Sequence, residues 1–326
     1  MEARIAPAPA ALSISPAVPA AMAPDRFAHF VAIDWSGAVG ERHAGIALAV
    51  AAAGGAAPEI VRPEFAADNH RWSRAEVADW LIAKAPPDAL IGVDLGISLP
   101  FVDRGAFLPG WSASPGDARG LWGLVERVCA TDPYLAASSF VDHPAAAPHY
   151  RRHGGREGAS FGADGQKGGR GRFRETERTQ ETMGCRPYSN FNLVGAAQVG
   201  KSSLTGMRLL HRVGNHVPIW PIDPLPASGS VIVEIYTTIA AMAAGRAPGR
   251  SKMRTIGEVN LALEMLGSAL LPADFGPAAT PIDDHRADAV VTAAWLRVSA
   301  GNAQLWQPDA LTSRIAQTEG WTFGAR

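Results

Sequence analysis

The chain has 326 residues, enough for two average domains or one large domain with insertions. Apolar residues make up 47% and charged residues 19%, with 11 Phe, 9 Trp and 4 Tyr, so a large core can be buried and a wholly disordered chain is excluded. Lys and Arg number 30 against 31 Asp and Glu; the net charge of −1 excludes a histone-like basic coat but leaves room for a local basic patch.

Two cysteines, Cys129 and Cys185, cannot build a disulfide scaffold, so a reduced, cytoplasmic setting is expected. Residues 44–57 form the longest small-apolar run, too short and too rich in Ala and Gly to span a membrane, so no membrane partner is expected. Residues 1–26 read as a disordered, Ala- and Pro-rich tail in which Pro7, Pro9, Pro16 and Pro19 break any signal-peptide core. Met22, just before the first ordered element, is an alternative start.

The first predicted strand covers residues 29–35 and carries Asp34 at its end. A second run, 44–50, and an alternating stretch, 59–65, complete a meander. Ser73 and Glu76 make a capping box for a helix that Pro86-Pro87 stops. Residues 89–95 are apolar throughout, as a buried central strand is, and carry Asp94 near the end. A helix follows over 118–130. Around 142–182 the chain turns Gly- and Arg-rich, and this reads as a mobile basic loop inserted into the domain. Regular structure returns at 204–213, and 231–236 is a strand that carries Glu234. Helices are expected over 256–266 and 283–298.

The positions of the acids carry the functional reading. Asp34 and Asp94 stand at the ends of two apolar strands, and Glu234 lies inside a third, where a carboxylate must be paired or bound to metal. Asp284 and Asp288, four apart, share one face of the last helix, and His285 shares much of it. Carboxylates converging in this way need cations, and hard oxygen donors suit Mg²⁺ or Mn²⁺. Two such ions can clamp a phosphodiester. Plainer roles are open for each group: Asp34 can start a turn, Asp283 can cap its helix, Glu234 can pair with an arginine such as Arg254, and His285 can sit on a helix surface.

Five stretches carry a resemblance: VAIDWSG (31–37), IGVDLGISLP (91–100), VGAAQVGKSSLTGMRLL (194–210), VIVEIY (231–236) and DDHRADAVVTAAWL (283–296). Together they resemble the domain-of-unknown-function family numbered 429, predicted RNase H-like nucleases, and the last is similar to the final helix of RuvC-like resolvases. Thr237 stands where the family has Pro, and the Gly/Arg insertion is longer than usual. The resemblance implies an α/β fold over residues 27–326, with a five-stranded mixed RNase H-like sheet flanked by helices. It implies a nuclease cleaving nucleic acid or another phosphoester with Mg²⁺ or Mn²⁺. Asp34, Asp94, Glu234 and Asp288 are then the catalytic acids, and Asp34, Asp94, Asp284, His285 and Asp288 the metal ligands. Lys201, Arg174 and Arg254 are expected on substrate phosphates.

Two other functions fit parts of the chain. Residues 195–202 match the phosphate-loop pattern GxxxxGK[ST], which points to a nucleotide-binding phosphotransferase or ATPase with Lys201 on a phosphate. A non-catalytic binding module of the same fold would keep the strands without gathering the acids.

Overall fold

The computed structural model describes residues 26–64, 71–162, 169–195 and 198–326. Most of the expected tail (1–25), Phe65 of the third predicted strand, residues 163–168 of the insertion and Ala196–Ala197 of the phosphate-loop pattern lie outside the described residues.

Six strands make one mixed sheet: β1 His29–Asp34, β2 Ala47–Ala52, β3 Glu59–Val61, β4 Ala89–Asp94, β5 Ile219–Trp220 and β6 Val231–Glu234. Their order is β3-β2-β1-β4-β6-β5. The first three pair antiparallel, as short connections permit, while β4, β6 and β5 run parallel to β1. The sequence predicts five strands. The sixth, β5, has two residues, too few for alternation to show.

Both faces of the sheet are covered, which explains why β1 and β4 are apolar throughout. Successive side chains point to opposite faces, so each strand feeds two cores. Val31, Ile33, Ile91 and Val93 pack with α1 (Arg74–Ala83), α2 (Ala118–Val128) and, beyond a short α3 (Glu175–Thr182), with α4 (Val199–Val213). Phe30, Ala32, Leu90 and Val233 pack on the other face with α5 (Thr237–Ala243), α6 (Ile256–Met265) and α7 (Asp284–Ser299). The predicted caps form: Ser73 and Glu76 close a capping box on α1, and the Asp283 carboxylate accepts from the Arg286 amide at the start of α7. Among the described residues no helix is long and apolar enough to cross a membrane.

Small residues bring α7 close to the sheet. Ala32, Ala47, Ala49 and Gly92 face it, and a Cβ at Gly92 would stand 2.6 Å from Ile235 Cγ2 and 3.0 Å from Leu296 Cδ1. The sheet therefore has no room for a larger side chain beneath α7, the helix that carries His285 and Asp288.

The described part of the insertion is more ordered than a mobile basic loop. Arg172 is buried, with its guanidinium on the Asp103 carboxylate and on the carbonyls of Pro100, Ala106 and Phe107. Arg170 pairs with Glu181 in α3. Several of the basic residues are thus held by internal partners, which ties this part of the segment to the domain. At the C-terminal end, Glu319 is fully buried and accepts from the amides of Phe101, Val102 and Glu175, tying three segments together.

Gly92→Val should destabilise the protein by about 1–3 kcal/mol through overpacking under α7, read from urea unfolding. Gly249→Ala, where an added Cβ meets nothing, should change stability by less than about 0.5 kcal/mol. Equal effects of the two would contradict the close approach.

Candidate functional site

Strand register places the first two acids. Asp34 of β1 and Asp94 of β4 are direct partners across a parallel pair, so their side chains leave neighbouring strand ends on the same face. That face is the one under α7. Three residues of the α7 start, Asp284, His285 and Asp288, meet them there.

The contacts are specific. His285 Nδ1 lies 2.9 Å from Asp34 Oδ2, and its Nε2 lies 3.9 Å from Asp284 Oδ1. The Lys252 ammonium donates to Asp288 Oδ2 and stands 3.9 Å from Asp284 Oδ2. The Thr237 hydroxyl donates to Asp94 Oδ2 at 3.4 Å. Asp34 and Asp288 are buried, at 7% and 4% exposure.

Burial and mutual repulsion show in the protonation of the cluster. Burial raises Asp94 well above the usual carboxylate range, and the charges of Asp34 and Asp288 add to it. Burial also raises Asp34, although His285 and Lys252 oppose the rise. Asp288 is pushed up to about 6 by burial, against the pull of Lys252. The hydrogen bond to Asp34 pushes His285 up to about 9, with burial opposing. Burial works to lower Lys252, but the charges of Asp288, Asp34 and Asp284 outweigh it and raise the ammonium. The cluster is a desolvated acidic pocket that holds positive charge.

The structure gathers Asp34, Asp94, Asp284, His285 and Asp288 from the predicted set; of the others, Glu234 and Arg174 share with Asp94 the lining of a cavity of about 160 Å³ but form an ion pair of their own. Glu234 pairs in register with Val93, not Asp94, so its side chain leaves the opposite face of the sheet. There it is saturated: Arg174 binds it at 2.6 and 2.8 Å, the Ile97 amide at 2.9 Å and the Thr322 hydroxyl at 2.5 Å. The expectation of Glu234 as a catalytic acid is corrected to a buried structural ion pair. Arg174 is corrected with it: this guanidinium is 1% exposed and held by Glu234 and Glu177 together, so it has no donor left for a substrate. Replacing one partner of such a pair would strand a buried charge.

Arg254 is exposed and lies two residues beyond Lys252, with its own amide on Glu258. Lys252, not Arg254, reaches the acids. Lys201 sits in the first turn of α4, packed on the loop that follows β1. A Cβ at Gly37 would lie 2.4 Å from the Lys201 carbonyl carbon. Lys201 lines a small cavity with Val39, Arg74 and Ala137 rather than the acidic pocket. A phosphate loop needs a sheet strand running straight into its helix. Among the described residues, the segment before α4 makes a single bridge, Asn192 to Arg151, and joins no strand of the main sheet.

Sequence reasoning missed the individual roles of Lys252 and Thr237. Lys252 had only the signal of a basic cluster, Arg250, Lys252 and Arg254. Thr237 had the signal of a departure from the resembled family at the residue now seen on Asp94.

Compared with known proteins, the chain matches no family model, no curated protein and no solved structure. Among the described residues, no group of three or more His, Cys, Asp and Glu side chains is drawn together tightly enough to hold a metal ion as it stands. The donor chemistry nonetheless fits a hard cation: carboxylates that repel one another, one imidazole, and an ammonium supplying the positive charge.

Because His285 is pushed up to about 9 from 6.5, it contributes stability that is complete below about pH 6.5 and lost as pH rises through 9. The urea midpoint of the metal-free protein should therefore rise between pH 9 and pH 7. In His285→Gln that rise should flatten. A midpoint that falls over this range, or an identical slope in the variant, would contradict the His285–Asp34 pair.

Proposed function

We propose that this chain is a metal-dependent phosphodiester hydrolase of RNase H-like fold acting on nucleic acid. The observation that carries the reading is the register pairing of Asp34 with Asp94 on the face that α7 covers, with Asp288 coupled to both. The strand order β3-β2-β1-β4-β6, antiparallel and then parallel, agrees with the fold that the resemblance implies.

In this reading Asp34, Asp94 and Asp288 hold Mg²⁺ or Mn²⁺, with Asp284 and His285 beside them; the ion supplies positive charge at the phosphoryl oxygens and a water of lowered pKa. His285 orients the Asp34 carboxylate through Nδ1, as an outer partner orients a ligand. Thr237 does the same for Asp94. Lys252 compensates Asp288, and its half-exposed ammonium can turn to a substrate phosphate once a cation takes over that task. Lys201, packed at Gly37 and lining a different cavity, is given no role in this reading. Arg254, exposed next to Lys252, remains available to a nucleic-acid backbone.

The test is cleavage of labelled DNA and RNA, single- and double-stranded, with Mg²⁺ or Mn²⁺ and with chelator. Asp34→Asn and Asp94→Asn should each lose more than about a hundredfold, and His285→Gln about 10–100-fold, the usual cost of an outer partner. Parent protein that cleaves none of these substrates, or Asn variants that cleave as the parent does, would refute the proposal.

A further inference from the structure

A second cavity, separate from the acidic pocket, carries a ligand chemistry of its own. It holds about 320 Å³ beside β2, β3 and the start of α7, the size of a small-molecule site. Ile46 and the buried Trp72 give it an apolar wall. Arg62, Arg71 and Arg286 reach it from three different segments, and none of them makes an ion pair among the described residues. Among the described residues Asp283 is the one acid in its lining, and its carboxylate is engaged in capping α7 at 3.2 Å from the Arg286 amide.

His43 supplies the second observation. His43 is one of the lining residues and is 2% exposed, and its Nε2 is buried with no hydrogen-bond partner among the described residues. Buried polar groups are almost always paired, so an unpaired nitrogen in a cavity-lining residue is a group that a ligand could satisfy. Burial, with the charge of Arg74 adding, pushes His43 down to about 4, so the ring is neutral near pH 7 and retains one donor and one acceptor.

We propose that this cavity binds a nucleotide, with Arg62, Arg71 and Arg286 on its phosphate and His43 and Trp72 against its nucleoside. Three guanidinium forks match the oxygens and charge of a phosphate better than those of a carboxylate. The apolar wall and the lone imidazole nitrogen ask for more than a bare anion. The cavity stands next to the acidic pocket without being part of it: Arg286 follows His285 in α7, and a Cβ on Gly45 would lie 3.4 Å from His285 Cε1. The inference rests on the cavity alone and holds whether or not the chain is a hydrolase.

The test is calorimetry of the full-length protein in chelator, titrated with AMP, adenosine and inorganic phosphate. AMP should bind, with adenosine and phosphate each at least about tenfold weaker. Arg71→Gln/Arg286→Gln, a pair of exposed positions that leave the core intact, should weaken AMP about tenfold or more while the thermal midpoint stays near that of the parent. The His43 ring resonances should shift with AMP. Adenosine binding as tightly as AMP, a double variant binding as the parent does, or no binding at millimolar AMP would overturn the proposal. Loss of AMP binding in Asp94→Asn would also overturn it, by placing the nucleotide on the acids.

Discussion

Like charge forced out of water is the constraint on which this molecule turns. Two apolar strands end in aspartates at the same register, and a helix lays a third beside them. Their repulsion in a desolvated pocket has to be compensated. The chain does so with its own groups, an imidazole on Asp34 and an ammonium on Asp288. A protein with no use for such a cluster gains nothing from assembling it, since burying uncompensated carboxylates opposes folding. This is the physical reason to place chemistry here.

The rest of the fold serves that placement. The stripe of Ala32, Ala47, Ala49 and Gly92 lets α7 lie low on the sheet, so that residues of its first two turns reach the strand ends. Glu234 and Arg174 work on the other face, closing the C-terminal segment onto β6 through Thr322. Strand parity separates the two carboxylate sets: one residue of register places Glu234 on Arg174, and Asp94 beside Asp34 and Asp288, whose charges His285 and Lys252 compensate.

Much of this is legible in the sequence where a single element decides the matter. Apolar runs closing in an acid locate β1 and β4, and the Ser73–Glu76 box and Asp283 mark helix starts. What escapes depends on contacts between distant segments. Arg174 and Glu234 are 60 residues apart, and no local pattern joins them, so a buried pair looks like a basic loop and a catalytic acid. Lys252 is one of three basic residues, and only the packing of its segment against α7 selects it. The orphaned nitrogen of His43 leaves no trace in composition or spacing.

The acidic pocket and the arginine-lined cavity share the start of α7, with His285 turned to one and Arg286 to the other. The central claim is that the aspartates form one interacting pocket. Carboxyl-carbon NMR titration of the metal-free protein tests it most directly. The account predicts that Asp288 titrates near 6 and that Asp34 and Asp94 titrate above the usual aspartate range. Three independent titrations near the ordinary value of about 3.9 would contradict it.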